Sequence, residues 1–151
     1  MNYEFRKVTE EDVKDILTWK YEGVYSFFDN DAFEGKANYI KSLVNNENAY
    51  SVYNDNNELI GNCEIYLKDK VTFALQMRPS LTSKGLGKEF GESIINFFKK
   101  QYNLKTIGLS VLKFNQRAFR LYKSLGFKIT HEFIGKTVKG EMEFIAMEKA
   151  L

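Results

Sequence analysis

The stretch Thr82-Ser83-Lys84-Gly85-Leu86-Gly87-Lys88 decides the fold, because the apolar residues on its two sides recur with different periods. Before it, Val71–Arg78 alternates apolar and polar residues, which is the period of a half-buried strand. After it, apolar residues recur at helical spacing through about position 101, at Leu86, Phe90, Ile94, Phe97 and Phe98. The sequence therefore predicts a glycine-containing turn that leads from a strand into a helix.

This turn has the chemistry of a phosphate site. The first N–H groups of a helix point outward and carry the positive end of its dipole, so they favour an anion. Gly85 and Gly87 have no Cβ to keep a ligand from the backbone, while Lys84 and Lys88 add positive charge. An ordinary tight turn is the alternative interpretation.

Two other phosphate motifs do not fit this turn. A Walker loop requires Ser or Thr after Gly87-Lys88, where this chain has Glu89. A dinucleotide-binding turn requires a third glycine, where this chain has Phe90.

Outward from the turn, turn-forming residues and apolar periods predict the element order β-α-α-β-β-β-α-β-α-β-β. A full helix joins the strands at 71–78 and 106–112, which permits a parallel pair, while the other neighbouring strands are linked as hairpins. We therefore expect an α/β (α+β) fold with a mixed, mostly antiparallel sheet flanked by helices. The remaining predicted strands are Tyr3–Lys7, Ala49–Tyr53, Glu58–Leu67, Phe127–Ile134 and Glu141–Glu148. The remaining predicted helices are one that begins after the N-cap Thr9, and two that span Phe33–Val44 and Asn115–Leu125. Gly126 ends the last helix, and Gly135 and Gly140 join the last two strands.

Length and composition limit the class of protein. The 151 residues predict one domain, 1–151, and 44% hydrophobic residues suffice for a core. No stretch approaches ~18 uncharged apolar residues, so we expect no membrane partner.

The net charge is −6 over residues 1–75 and +8 over residues 76–151. Nucleic-acid-binding domains have a denser basic stripe, so we expect no nucleic acid. A single cysteine, Cys63, and the absence of a secretory signal predict a cytoplasmic protein.

A second motif follows the predicted strand at 106–112. It reads Asn115-Gln116-Arg117-Ala118-Phe119-Arg120-Leu121-Tyr122-Lys123-Ser124-Leu125-Gly126-Phe127. Together with the first turn, it resembles the Gcn5-related N-acetyltransferase (GNAT) superfamily, in which a Pro-x-x-Arg/Gln-x-x-Gly-x-Gly/Ala turn precedes an Asn-x-x-Ala-x-x-Leu-Tyr-x-x-x-Gly-Phe helix. The element order matches that fold over almost the whole chain. Thr82 and Ser83 depart from the pattern, since the family usually has Arg or Gln at the first position and often Gly at the second.

The resemblance implies an acyl-CoA-dependent N-acyltransferase that uses acetyl-CoA and no metal. It implies that acetyl passes to a primary amine of a small molecule or peptide by direct attack. In that scheme the Met77 N–H helps to bind the thioester carbonyl and Tyr122 protonates the departing thiolate. The implied residues for acetyl-CoA are Leu75, Met77, Thr82, Ser83, Lys84, Gly85, Leu86, Gly87, Lys88, Asn115, Ala118 and Tyr122.

Two of these residues have structural alternatives. Asn115 is also a good N-cap, a role compatible with contact to the cofactor. Tyr122 is also a plausible core aromatic residue with a satisfied hydroxyl.

The general base and the acceptor site are less defined by the sequence. The strand 71–78 contains no carboxylate, so Glu64 on the neighbouring strand is the best candidate base by location. A water relay or an amine that enters neutral would remove the need for a base. We expect Tyr25, Phe28 and Asp29 to bind the amine, because aromatic and acidic residues together suit a cation. The alternative is that these aromatic residues pack the N-terminal helices onto the sheet.

Two other functions remain open at this stage. One is an acyl-CoA-binding module of the same fold with weak or no catalysis, suggested by Thr82 and the missing strand carboxylate. The other is a protein-interaction domain with a vestigial cleft. We expect a monomer or a homodimer.

Overall fold

The computed structural model describes residues 2–82 and 84–151 and has the predicted order of elements. Its strands are β1 (Glu4–Lys7), β2 (Ala49–Tyr53), β3 (Leu59–Leu67), β4 (Val71–Met77), β5 (Thr106–Leu112), β6 (Lys128–Thr137) and β7 (Gly140–Ala150). Its α-helices are α1 (Glu10–Ile16), α2 (Glu34–Ser42), α3 (Gly87–Tyr102) and α4 (Gln116–Ser124). Short 3₁₀ turns cover Gly23–Phe28, Leu43–Asn45 and Pro79–Leu81.

The seven strands form one sheet in the order β1-β2-β3-β4-β5-β7-β6. The pairs β1–β2, β2–β3, β5–β7 and β6–β7 are antiparallel. The pair β4–β5 is parallel, with Thr72 opposite Gly108. The mixed, mostly antiparallel sheet and its one crossover by a helix are therefore confirmed.

The contacts of the chain divide it into two compact units, Met1–Glu64 with Leu75–Leu86 and Ile65–Ala74 with Gly87–Leu151. In the first unit, Thr9 and Asp12 form the capping box that starts α1: Asp12 N donates to Thr9 Oγ1 at 3.1 Å and Thr9 N donates to Asp12 Oδ2 at 3.0 Å. The core of this unit is built around α1 and α2 and consists of Val8, Val13, Ile16, Trp19, Ile40, Leu43, Ala49 and Leu59.

In the second unit, α3 buries one apolar face and packs closely against α4. A Cβ at Gly91 would lie 2.7 Å from Leu125 Cδ1, so glycine permits this close approach. Gly126 takes φ = +96° directly after α4, as expected of a residue that tolerates the left-handed conformation. The buried residues of α3 are Phe90, Gly91, Ile94, Ile95 and Phe98.

Three details differ from the sequence prediction. Tyr21 lies beyond the end of α1 at Ile16, so it does not extend that helical face. The helix α2 ends at Ser42 and continues as a 3₁₀ turn. Gly135 lies inside β6, and the turn to β7 is at Val138 and Lys139, because the ladder between the two strands continues to Thr137–Gly140. None of the helices in the described part of the chain is both long and apolar enough to span a membrane.

Candidate active site

The glycine turn opens onto free space. Gly85 has φ = +75°, a conformation that favours glycine, and a Cβ at this position would have no atom within 4 Å. Lys84 is exposed on one side of it, and Lys88 is exposed in the first turn of α3. A Cβ at Gly87 would make ordinary contact with Leu121 at 3.6 Å, so at that position the fold itself does not require glycine.

This turn fits the diphosphate of an acyl-CoA. It combines accessible backbone, two exposed lysines and the N-terminal end of a helix of 16 residues, all of which favour an anion. Thr82 does not supply the missing Arg or Gln contact, because its Oγ1 donates to the Pro79 carbonyl at 2.8 Å and supports the 3₁₀ turn. Ser83, which the resemblance also assigns to the cofactor, lies outside the described residues.

Asn115 is the N-cap of α4. Its Oδ1 accepts a hydrogen bond from Ala118 N at 3.2 Å, as the structural alternative predicted. Capping uses only the oxygen of the side-chain amide, and Nδ2 donates to no described residue. The cap is therefore compatible with a second role for Asn115 as a hydrogen-bond donor to a ligand.

Tyr122 lies on the buried face of α4, where its side chain is 8% exposed. Its ring is edge-on to Phe73 at 6.3 Å and to Phe127 at 5.8 Å between centroids. The Tyr122 hydroxyl forms no hydrogen bond to a described residue. Every fully buried polar side-chain atom of the described residues has a hydrogen-bond partner, so the Tyr122 oxygen is not fully buried and retains some access to solvent. Burial raises the pKa of the Tyr122 hydroxyl, which keeps it protonated at neutral pH.

Glu64 is buried on β3 and is bonded through both of its oxygens. Oε1 accepts from the Tyr39 hydroxyl of α2, and Oε2 accepts from Asn46 Nδ2. These donors stabilise a carboxylate. Sequence reasoning selected Glu64 by location and missed both partners.

On β4, Leu75 is half-buried and Met77 is buried. The Met77 carbonyl accepts a hydrogen bond from the Tyr21 hydroxyl at 2.7 Å. This bond fixes the backbone at the end of the strand to which the resemblance assigns the thioester.

The candidate acceptor residues lie in and next to the 3₁₀ turn Gly23–Phe28. Tyr25, Phe28 and Asp29 are half-buried, and Asp29 Oδ1 accepts from Tyr21 N at 2.8 Å. Trp19, which precedes this segment in the sequence, is buried in the core of the first unit.

Sequence reasoning missed a pair of side-chain amides that holds this segment. Asn30 is fully buried and donates to the Ile16 carbonyl at 2.9 Å and to Gln76 Oε1 at 3.0 Å. Gln76 Nε2 in turn donates to Asn30 Oδ1 at 3.2 Å. The pair joins the segment of the candidate acceptor residues to β4, and only the fold brings Asn30 and Gln76 together.

A cation also lies beside this segment. Lys36 Nζ on α2 donates to the Phe28 carbonyl at 3.4 Å. Burial lowers the pKa of Lys36, and the nearby charge of Asp29 opposes this shift.

The comparisons with known proteins agree with this picture. The model of the Acetyltransferase (GNAT) domain matches residues 5–144. A spermidine N-acetyltransferase SpeG chimera from Vibrio cholerae and hSSAT has a TM-score of 0.79 at 17% identity, covering 99% of this chain and 96% of that chain. A GNAT acetyltransferase from Bacillus anthracis has a TM-score of 0.78 at 14% identity, covering 99% and 95%.

A third solved structure, aminoglycoside acetyltransferase AAC(6')-Ib in complex with coenzyme A, has a TM-score of 0.74 at 18% identity, covering 99% of this chain and 95% of that chain. At these identities the likeness shows the fold. No curated protein sequence matches this chain.

The GNAT domain model over residues 5–144 and the fold shared with known acetyltransferases define an N-acetyltransferase that uses an acyl-CoA donor. The chain belongs to the GNAT acetyltransferase family.

Proposed function

We propose that this chain transfers the acetyl group of acetyl-CoA to a primary amine of a small molecule or peptide by direct attack of the amine. The observation that carries this proposal is the turn at Gly85. The turn combines a positive φ and open space at the missing Cβ with two exposed lysines and the start of a helix of 16 residues. A bound acetyl-CoA supplies an activated acyl group as a thioester.

In this proposal the backbone amides from Ser83 to Lys88 hold the diphosphate. Backbone N–H groups bind an anion without any particular side chain, so Thr82 in place of Arg or Gln does not abolish the site. Lys84 and Lys88 supply charge that the Thr82 position lacks.

The rest of the cofactor would contact backbone and small side chains. We assign the pantetheine arm to the backbone of Leu75 and Met77, and to Asn115 through its Nδ2. Ala118, one turn further along α4, offers a small side chain beside that arm. The Tyr21 hydroxyl holds the Met77 carbonyl, so the Met77 N–H is kept in position to bind an oxygen.

Tyr122 is the proposed acid. A phenol with a raised pKa is fully protonated at neutral pH and donates a hydrogen bond to the sulfur that leaves. The apolar surroundings oppose a thiolate as well as a phenolate, so the Tyr122 proton passes to the leaving sulfur and the phenolate is reprotonated from the solvent to which its oxygen retains access.

Glu64 is the proposed base. Its two donors, Tyr39 and Asn46, hold the carboxylate in one orientation. Exchange of Glu64 for Gln should lower kcat/KM, because an amide does not accept the proton of the attacking amine. Tyr39→Phe, which keeps the carboxylate and removes one donor, is the matched control and should retain most of the activity. Wild-type kcat/KM in Glu64→Gln would favour a water relay or an amine that arrives neutral.

The acceptor site in this proposal is formed by Tyr25, Phe28 and Asp29. Asp29 attracts an ammonium group, and the two rings offer faces for a cation. The Asn30–Gln76 pair holds this segment against β4.

The function is tested by calorimetry with acetyl-CoA followed by thiol release across a panel of amines. Heat on binding and thiol release with at least one amine class are expected. Absence of heat and of a thermal shift at millimolar acetyl-CoA would favour the vestigial interaction domain. Binding without thiol release for any amine would favour the inactive acyl-CoA-binding module.

A further inference from the structure

The strand β6 is one of the two outer strands of the sheet, and among the described residues its neighbour in the sheet is β7. It is ten residues long, and its side chains are exposed or half-buried throughout. Three apolar residues of β6 are exposed, Ile129 (53%), Phe133 (37%) and Ile134 (67%), and so is Val138 (56%) in the turn that follows. A long edge strand presents unpaired backbone groups and, with exposed apolar side chains on it, is a site for pairing with another chain.

We propose that β6 pairs antiparallel with β6 of a second copy of this chain, about a two-fold axis at Ile134. Such a contact is self-complementary, as the interface of a symmetric dimer must be. This inference does not depend on the proposed catalytic function.

The charges of β6 select this register. With Ile134 opposite itself, Glu132 lies opposite Lys136 of the second copy, and the symmetric pair repeats on the other side of the axis. Residues directly opposite in an antiparallel pair share a face and interact. The exposed Ile134 side chains then meet between two ion pairs. The paired segment, His131–Thr137, lies entirely in the regular part of the strand.

Three symmetric registers place Glu132 opposite a charged residue of β6, and the two others are less favourable. An axis at Glu132 would place that carboxylate opposite itself and Lys128 opposite Lys136. An axis at Thr130 would pair Lys128 with Glu132, but it would fall on the register shift between Ile129 and His131, where the ladder is disrupted.

Glu132 can form an ion pair with Lys136 of the second copy in addition to the ion pair that it forms within its own chain. Within its own chain its Oε1 contacts Lys113 Nζ at 2.9 Å, and its side chain stays exposed. Lys113 is shared with Glu143, at 3.7 Å. A carboxylate has two oxygens, so Glu132 can also accept from a lysine across the axis.

A charge exchange tests the register. Sedimentation velocity of the unmodified chain at micromolar to tens of micromolar concentration should show a dimer. Glu132→Lys alone and Lys136→Glu alone should each raise the dimer dissociation constant about tenfold or more, because each creates two like-charge pairs. The double variant, and an equimolar mixture of the two single variants, should restore the dimer. Lys100→Glu, at an exposed position near the end of α3, is the charge-matched control, and this variant should dimerise like the unmodified chain.

Crosslinking gives a second, geometric test. Ile134→Cys should form an intermolecular disulfide on oxidation, since opposed residues have Cα atoms ~4.5–5.5 Å apart, within disulfide range. Val138→Cys, equally exposed, should not, because its copy would lie ~27 Å away along the paired strands. The natural Cys63 is buried and does not interfere.

A monomer at all these concentrations, with circular dichroism showing folded protein, would overturn the proposal. Equal crosslinking of the two cysteine variants, or a dimer indifferent to both single charge changes, would overturn the register and the assignment of β6 as the interface.

Discussion

The ring of Tyr122 meets the ring of Phe73 edge-on, with centroids 6.3 Å apart and an interplanar angle of 84°. Edge-to-face pairs stabilise a fold through the ring alone, without the hydroxyl. The packing role and the chemical role of Tyr122 can therefore be separated by removing one oxygen.

Tyr122→Phe should keep the stability of the protein and lower kcat about 10²-fold, the lower part of the range for a lost general acid. The KM for acetyl-CoA should change little, because the ring contacts remain. Steady-state thiol release and thermal unfolding measure the two effects. Tyr102→Phe, a loss of hydroxyl at the end of α3, is the control. Wild-type turnover in Tyr122→Phe would show that the hydroxyl is not the acid.

Gly85→Asp should raise the dissociation constant for acetyl-CoA about tenfold or more, because it places a carboxylate beside the proposed diphosphate site. The matched control is Gly140→Asp in the β6–β7 turn. Gly140 has φ = +94° and, like Gly85, no atom within 4 Å of an added Cβ, so its backbone strain is similar. Calorimetry on both folded variants is the measurement. Equal affinities would remove the glycine turn from the binding site.

The order of elements could be predicted from the sequence because its signals are local. The Thr9–Asp12 capping box, the change of apolar period at Gly85 and the glycine at the end of α4 each lie within a few residues of the structure that they specify. The parallel pairing of β4 with β5 follows from the helix that joins them. One exception is Gly135, whose place inside β6 depends on a neighbouring strand: a Cβ there would lie 2.8 Å from the Phe144 ring.

The side-chain pairs of the candidate site could not be predicted, because they join residues far apart in sequence. Asn30 and Gln76 are 46 residues apart, and Glu64 and Tyr39 are 25 apart. An Asn among aromatic and acidic residues indicates a turn, and nothing local identifies its partner. The motif helix, by contrast, allowed both roles of Asn115 to be stated, and the capping role is confirmed.

Asn30→Ala should lower the free energy of unfolding by about 2 kcal/mol, because it removes the three hydrogen bonds that this buried side chain makes to the Ile16 carbonyl and to Gln76. Loosening of the acceptor segment should raise the KM for the amine and leave the KM for acetyl-CoA unchanged. Urea unfolding and steady-state kinetics measure these effects. Asn56→Ala in the exposed β2–β3 turn is the control. Unchanged stability would mean that the amide pair does not hold the segment.

Asp12 should make the stability of the protein depend on pH in the acid range. Burial alone would raise the pKa of its carboxyl, but hydrogen bonds from the Tyr53 hydroxyl, the Thr9 amide and Ser51 outweigh it and lower the pKa. A lowered pKa in the folded state stabilises the protein above the ordinary value of about 3.9, and this contribution is lost as the pH falls through the lowered pKa.

Asp12→Asn should therefore lower the free energy of unfolding by about 2 kcal/mol at pH 7, since an amide nitrogen would face donors. This deficit should begin to shrink below about pH 4, where the carboxyl of the unfolded chain is protonated, and should be smallest below the lowered pKa of the folded state. Urea unfolding at a series of pH values measures the difference. Glu92→Gln, at an exposed carboxyl on α3, should run parallel to the wild type. A deficit that is constant down to pH 2 would show that the charge of Asp12 does not stabilise the fold and that only its shape matters.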